Sequence, residues 1–343
     1  MSSSIIRIAP EVMLGNFENI LKPLGFTPEK ASAIAQVFVE NSLDGVYSHG
    51  VNRFRKFVQY IRDGHINVKG EPERVHSSGV VEQWEGHAGP GILNALRCSE
   101  RALDIAAVHG MGCVALAHTN HWMRGGTYGW RVAKRGYVYI GWTNTISNMP
   151  PWGGTDPRLG NNPLVIAVPY KEEAIVLDMA MSQFSYGSLE QKKMSNERLP
   201  VPGGYNSAGD LSYDASEILE TERVLPVGFW KGSGFSLLLD ILATALSGGH
   251  SVKRITDQGA EYNLSQVFIA IAINGLSNSS GIGAEIAHII TDYHQASRVR
   301  EDRPVLYPGE RVLVTRSENI AKGIPVIERV WEEIVALQHR DSR

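Results

Sequence analysis

Gly110-Met-Gly112-Cys-Val-Ala115 spells G-x-G-x-x-A, the glycine fingerprint of dinucleotide-binding turns, but its surroundings reverse the usual meaning. The fingerprint works because a strand ends in the glycine turn and a helix begins there, so that a pyrophosphate rests on the helix N-terminus. Here residues 92–108 carry helical spacing before the glycines, and the apolar run 113–117 after them reads as a strand. A second candidate, Gly281-Ile-Gly283-Ala-Glu-Ile286, follows a strand-like run at 267–273 and precedes a helical one at 284–294. It has isoleucine at the third glycine position, and no acidic residue at the end of a second strand about 20 positions on. No Walker loop is present. A dinucleotide, if bound, is held by some other device.

Working outward, short apolar runs at 80–84, 137–142, 164–168 and 175–179 predict further strands, and 128–134 and 234–246 predict helices. The first third is helical. Thr27-Pro28 caps a helix whose apolar stripe is Ala31, Ile34, Ala35 and Phe38, and Asp44-Gly45 stops it. After Ser48-His49-Gly50 a second helix buries Phe54, Phe57, Val58 and Ile61, ending at Asp63-Gly64. Ile327, Val330, Trp331, Ile334 and Leu337 form one face of a terminal helix after Pro325, expected to pack on the N-terminal helices. That predicts a helical domain from residues 1–75 plus 316–343 and a sheet domain from 76–315. Residues 189–224, rich in Gly, Pro, Ser and Asn, read as a long excursion ordered by a partner subunit or a ligand.

The 343 residues are 43% hydrophobic and 20% charged, which excludes a disordered chain. With 33 basic against 36 acidic residues the net charge is -3, which argues against nucleic-acid binding and polybasic membrane adhesion. Cys98 and Cys113 are too few for a disulfide framework or a structural zinc site and read as buried thiols of a reducing compartment. Met1 to Glu11 lacks the apolar core of a signal peptide, and the apolar segment 235–246 is short and interrupted by Asp240. The expected setting is cytoplasmic.

Four segments carry candidate chemistry. In Gly45-Val-Tyr-Ser-His-Gly-Val-Asn-Arg-Phe54, His49 and Arg53 are four positions apart and share a face if helical. The two do not attract, so a capping His beside a solvated Arg is one reading. The other is catalytic: Arg grips a carboxylate while His moves a proton near neutral pH. His118-Thr-Asn120-His121-Trp-Met-Arg124-Gly-Gly126 follows a strand end, where α/β proteins place ligand groups; hydrogen-bonded histidines or a metal pair, His118 with His121, are the alternatives. Trp142-Thr-Asn-Thr145 leads into Met149-Pro-Pro-Trp-Gly-Gly154 and Gly160-Asn-Asn-Pro-Leu164, an ordered loop with or without a ligand. Trp230-Lys231-Gly-Ser-Gly234 opens an apolar helix, where Lys231 either meets an anion or is solvated. No G-x-S-x-G elbow is present, which argues against an α/β-hydrolase.

Together, Ser48-His49-Gly50 with Arg53, Asn120-His121, Gly160-Asn-Asn-Pro-Leu164, Leu177-Asp178-Met179 and Lys231-Gly232 resemble the malate/L-lactate dehydrogenase family. These non-Rossmann NAD(P)-dependent reductases include ureidoglycolate and sulfolactate dehydrogenases, and the resemblance runs over nearly the whole chain. It implies an α/β fold with a mixed, largely antiparallel sheet flanked by helices, and an oxidoreductase acting on 2-hydroxy or 2-oxo acids, here a sugar acid. NAD is the implied cofactor, with NADH preferred and NADPH possible, and the implied assembly is a homodimer. The family's proton-handling residue matches His49 in one branch and His121 in another; Arg53 would clamp the substrate carboxylate, with Asn120 and Arg124 on its hydroxyls. Implied cofactor contacts are Thr145, the run Ala174, Ile175, Val176, Leu177, Asp178, Met179 and Ala180, then Trp230 and Lys231, and the turn Gly309, Glu310 and Arg311. Where many relatives have Gly-Thr-Asn-Pro-Leu, this chain has Asn161. A sugar-acid binding module, or a metal-assisted hydrolase built on His118 and His121, is the competing reading from another class.

Overall fold

The computed structural model describes residues 4–277 and 279–339. The chain opens with β1 (Ile5–Ile8), α1 (Pro10–Leu21), α2 (Pro28–Leu43) and α3 (Val51–Arg62). Then come β2 (Glu73–Ser78), β3 (Val81–Glu85), α4 (Gly91–His109), β4 (Met111–Thr119), α5 (Gly126–Ala133), β5 (Tyr137–Thr143), β6 (Leu164–Tyr170) and β7 (Glu173–Met179). After them lie α6 (Tyr186–Ser195), β8 (Gly204–Tyr205), β9 (Leu211–Ser212), α7 (Ala215–Thr221), α8 (Trp230–Ser247) and α9 (Val252–Asp257). The chain closes with β10 (Leu264–Ala272), α10 (Ser279–His294), α11 (Glu310–Lys322), β11 (Ile324–Ile327) and α12 (Glu328–Val335).

Seven strands form one sheet in the order β2-β3-β4-β10-β5-β6-β7. Only β3 and β4, joined through α4, run parallel; the other neighbours are antiparallel. The sheet is mixed and largely antiparallel, as the resemblance implied. Its central strands β4 and β10 are buried almost throughout because both faces are covered, whereas β2 at the edge is exposed. Along β4, Val114 and Leu116 pack with Tyr139, Phe268 and Ala102 of α4, while Cys113 and Ala115 pack with Trp142, Val267 and Leu239 of α8. Both cysteines are free and buried, and burial pushes both thiols up.

A separate core gathers the helices of both chain ends. Phe17 stacks on Phe54 at 3.9 Å, Phe38 meets Phe54 edge-on at 5.2 Å, and Ile324, Val326, Ile334 and Leu337 join them. The ends are also tied by an element the periodicity missed: β1 pairs antiparallel with β11, Ile5 opposite Ile327. Ile327, read above as helical, therefore ends a strand, and α12 begins one residue later. A four-residue apolar run has no period of its own; its pairing partner decides its conformation.

Other boundaries move for similar reasons. The excursion 189–224 holds most of α6, the β8–β9 hairpin and α7, because Leu189, Leu199, Ile218 and Val224 bury themselves against the α8 face of the sheet. Gly281 and Gly283 lie inside α10 and make no turn before it. Gly309, at φ +92°, caps α11, so Glu310 and Arg311 open a helix where a turn was expected. Among the described residues no helix is long and apolar enough to cross a membrane.

Candidate active site

His49 does not sit on a helix. It ends a short 3-10 turn, Tyr47–His49, and α3 begins two residues later. The turn is held by its surroundings. Asn41 Nδ2 donates to the His49 carbonyl at 2.9 Å, and Ser42 Oγ accepts the Val51 N–H at 2.9 Å. A Cβ at Gly50 would lie 2.3 Å from Ser42 Oγ, so only glycine lets the turn close on α2. From the chain's far end, α11 supplies Asn319, whose amide donates to Leu43 O at 3.0 Å, and Arg316, 2.6 Å from Asp44.

The segment after β4 comes to the same place. His49 and His121 stack nearly parallel, ring centres 5.7 Å apart. Asn120 Nδ2 donates to the carbonyls of His65, Ala88 and Gly89, and Gln266 Nε2 donates to Asn120 O. Asn120 Oδ1 is buried without a partner. Arg53, Lys56, Tyr60, Asn120 and His121 line one narrow cleft. Arg53 Nη2 lies 3.4 Å from Glu261 Oε2, leaving its other donors free for a ligand.

The two imidazoles differ in their hydrogen bonds. Met123 N–H donates to His121 Nδ1 at 3.0 Å, so the neutral ring carries its proton on Nε2, and protonating Nδ1 would forfeit that bond. His49 Nδ1 faces Ser48 Oγ at 3.0 Å, a hydroxyl that donates or accepts as required. Both histidines are shifted the same way. Loss of solvent, with Arg53 and Arg124 nearby, holds His49 down to about 4. Burial, then Arg53, His49 and Lys56, hold His121 well below the usual imidazole range. In the unliganded protein both rings are neutral at pH 7.

Arg124 departs from its expected role on substrate hydroxyls. It is buried, ion-paired with Asp44 and lies 3.8 Å from Asp178 Oδ2, which also accepts the Gly126 N–H at 2.8 Å. Asp44 binds Arg316 as well. This ionic network joins the His49 turn, the His121 segment, the end of β7 and α11. Sequence reasoning missed it because its members are spread across more than 250 positions. The metal reading also fails: His118 Nδ1 pairs with Glu85 at 2.8 Å and its ring meets His250, whereas His121 faces His49. Among the described residues no group of three His, Cys, Asp or Glu is placed to hold a metal ion.

The expected cofactor residues spread along the edge strand β7 and the loops at its end. Ala174 and Val176 point into the core, Ile175, Leu177 and Met179 are half-buried, and Gly309 packs on the Val176 backbone. Val227 N–H donates to Met181 O at 2.8 Å and a Cβ on Gly232 would strike Val227, so exposed Trp230 and Lys231 are brought beside the end of β7. Glu310 and Arg311 stand apart on α11, where Glu310 accepts Tyr307 N–H and pairs with His294. Thr145 is buried, its N–H donated to Asn162 Oδ1 at 3.1 Å. A polar nicotinamide headgroup fits here: Ser182 Oγ and Asn148 Oδ1 are buried without partners, beside the end of β7 and the loop after β5.

Residues 8–335 match the malate/L-lactate dehydrogenase family. The chain is 42% identical to the 2,3-diketo-L-gulonate reductase of Escherichia coli strain K12 over 333 residues, 97% of this chain and all of that one. It is similar in structure to malate dehydrogenase from Pyrococcus horikoshii OT3, with TM-score 0.88 and 26% identity over 98% of this chain and 96% of that one. Sulfolactate dehydrogenase from Methanocaldococcus jannaschii shares the fold, with TM-score 0.90 at 24% identity over 98% of both chains. These matches run over nearly the whole chain: it belongs to the malate/L-lactate dehydrogenase family, nicotinamide-dependent enzymes of hydroxy and oxo acids.

Proposed function

We propose that this chain is an NADH-dependent reductase of a 2-oxo sugar acid, converting 2,3-diketo-L-gulonate to 3-dehydro-L-gulonate. One observation carries the reaction type: Arg53 shares a cleft with His121, which stacks on His49. The identity to a reductase of that name supports the substrate. When bound, the reduced nicotinamide supplies a hydride to the C2 carbonyl carbon. Arg53 holds the C1 carboxylate with the donors Glu261 leaves free, fixing which face of the carbonyl is presented. His49 delivers the proton to the oxygen at C2, with Ser48 Oγ switching from donor to acceptor as the ring protonates. His121 Nε2–H hydrogen-bonds the same oxygen, and Asn120 Oδ1 accepts from a substrate hydroxyl.

A screen of NADH and NADPH oxidation against 2,3-diketo-L-gulonate, pyruvate, oxaloacetate and sulfopyruvate tests this. The highest kcat/KM is expected for NADH with the diketo acid; a higher value on another acid would shift the reading to a pyruvate-, oxaloacetate- or sulfopyruvate-type reductase.

The depressed histidines give the pH dependence its sign. Reduction needs His49 protonated, and its value of about 4 in the free protein leaves a shrinking fraction so above that pH. We expect kcat/KM for reduction to fall about tenfold per pH unit from 5 to 8, and kcat/KM for oxidation to stay level there. A reductive profile flat to pH 8 would contradict the assignment. The substrate carboxylate, entering beside Arg53, opposes the cationic field, so binding takes up a proton.

We further propose a homodimer joined along α8, in the cytoplasm. The buried stripe of this helix is made of Gly232, Ser236, Leu239, Ala243 and Ser247, so its larger side chains point outward. Phe235, Leu237, Leu238, Ile241 and Leu242 are about half exposed, with Trp230 and Phe229 at the N-terminal end. Isolated monomers rarely display such a ridge. It is almost uncharged, so two copies meet across a twofold axis without repulsion. The free, buried thiols support a reducing compartment. Light scattering should find a dimer for the wild type and a monomer for Leu238→Asp with Ile241→Asp. A monomeric wild type refutes the proposal.

A further inference from the structure

We propose that Glu261 sets the substrate class of this site, admitting oxo acids with one carboxylate and a hydroxylated chain and turning away dicarboxylates. The inference rests on the reading of the cleft as an oxo-acid site and deepens it. Glu261 lies in the loop between α9 and β10, with its side chain only 13% exposed. Its carboxylate spans two parts of the site: Oε2 is 3.4 Å from Arg53 Nη2, and Oε1 accepts the Ile146 N–H at 3.5 Å, next to Thr145. The neighbouring Tyr262 stacks on His65 at 4.8 Å, and His65 lies against Tyr60 at 5.2 Å, so the loop is braced against the cleft wall.

The charges decide what such a cleft accepts. Its cations are Arg53 and Lys56; facing them are Glu261 and, toward Lys56, Glu190. Both histidines are neutral before substrate enters. One arriving carboxylate finds the free donors of Arg53. A second finds the remaining positive charge already opposed, and lies close to an anion shielded from water, where like charges repel strongly. Hydroxyl groups meet the opposite situation, since a carboxylate accepts their hydrogen bonds without any charge conflict. Glu261 touches no reacting atom in this account; it acts through Arg53 and on substrate groups that come to lie beside that guanidinium.

The test compares wild type with Glu261→Gln and, in case that variant folds poorly, Glu261→Ser. Two readouts are taken on each: kcat/KM for hydroxypyruvate and for oxaloacetate, and calorimetric affinity for glycerate and for tartronate, which needs no turnover. The ratio of dicarboxylate to monocarboxylate should rise at least tenfold in both variants, through KM with little change in kcat. A ratio that moves less than twofold in both readouts overturns the role of Glu261, whatever the reaction. A wild type that reduces neither oxo acid while the calorimetric ratio shifts as expected leaves Glu261 in place and counts against the proposed reaction.

Discussion

The His49→Gln variant should lose about 10²-fold or more in kcat for reduction, the usual range for a missing proton donor. The same change at His121 should cost about tenfold, the worth of one adjusted hydrogen bond. The asymmetry follows from what each Nδ1 meets. Met123 N–H points at His121 Nδ1 and opposes a second proton, whereas Ser48 Oγ tolerates both states of His49. The pH profile separates the roles more sharply than the rates. Without His49 the decline of reductive kcat/KM above pH 5 should vanish, and without His121 it should persist. A larger loss at His121, together with a level profile, would move the proton to that ring.

The Arg124→Met variant should be destabilised by about 1–3 kcal/mol, the cost of removing one charged hydrogen-bond partner from buried groups that keep another. Arg124 and Asp44 are 6% and 5% exposed, so solvent does little to compensate. Asp44 would keep Arg316, and Asp178 would keep the Gly126 N–H, so the fold should survive at a lower unfolding midpoint. Activity should fall in the surviving protein, because the network aligns the His49 turn with the His121 segment. Urea unfolding checks the first part. In a double-mutant cycle with Asp44→Asn, the two losses should sum to more than the double variant shows. A loss below about 1 kcal/mol would mean that the pair holds nothing in place.

Much of the fold was legible because strongly apolar runs and capped helices announce themselves. Thr27-Pro28 opens α2 where expected, with Thr27 accepting the Lys30 N–H. The strands at 113–117, 137–142 and 267–273 have their ends within three residues of those of β4, β5 and β10. The reversed glycine motif was informative because it conflicted with its context: Gly110 caps α4 in the left-handed region and β4 follows. Less legible were α6 and α7, whose few apolar residues acquire meaning only against the sheet, and the β1–β11 pair, more than 300 positions apart.

By itself the amino-acid order determined the family likeness, the strand and helix runs with a local period, and the residue types able to grip a carboxylate and move a proton. Those are properties of near neighbours along the chain, which spacing and capping express directly. Tertiary structure decided which of them act together. Arg124, chemically suited to a substrate, is committed to Asp44, and Glu261, unremarked in the sequence, stands beside Arg53. The neutral state of both histidines is likewise a product of burial and surrounding cations. Charge interactions depend on distance through space and on the exclusion of water, and neither is written in the order of residues.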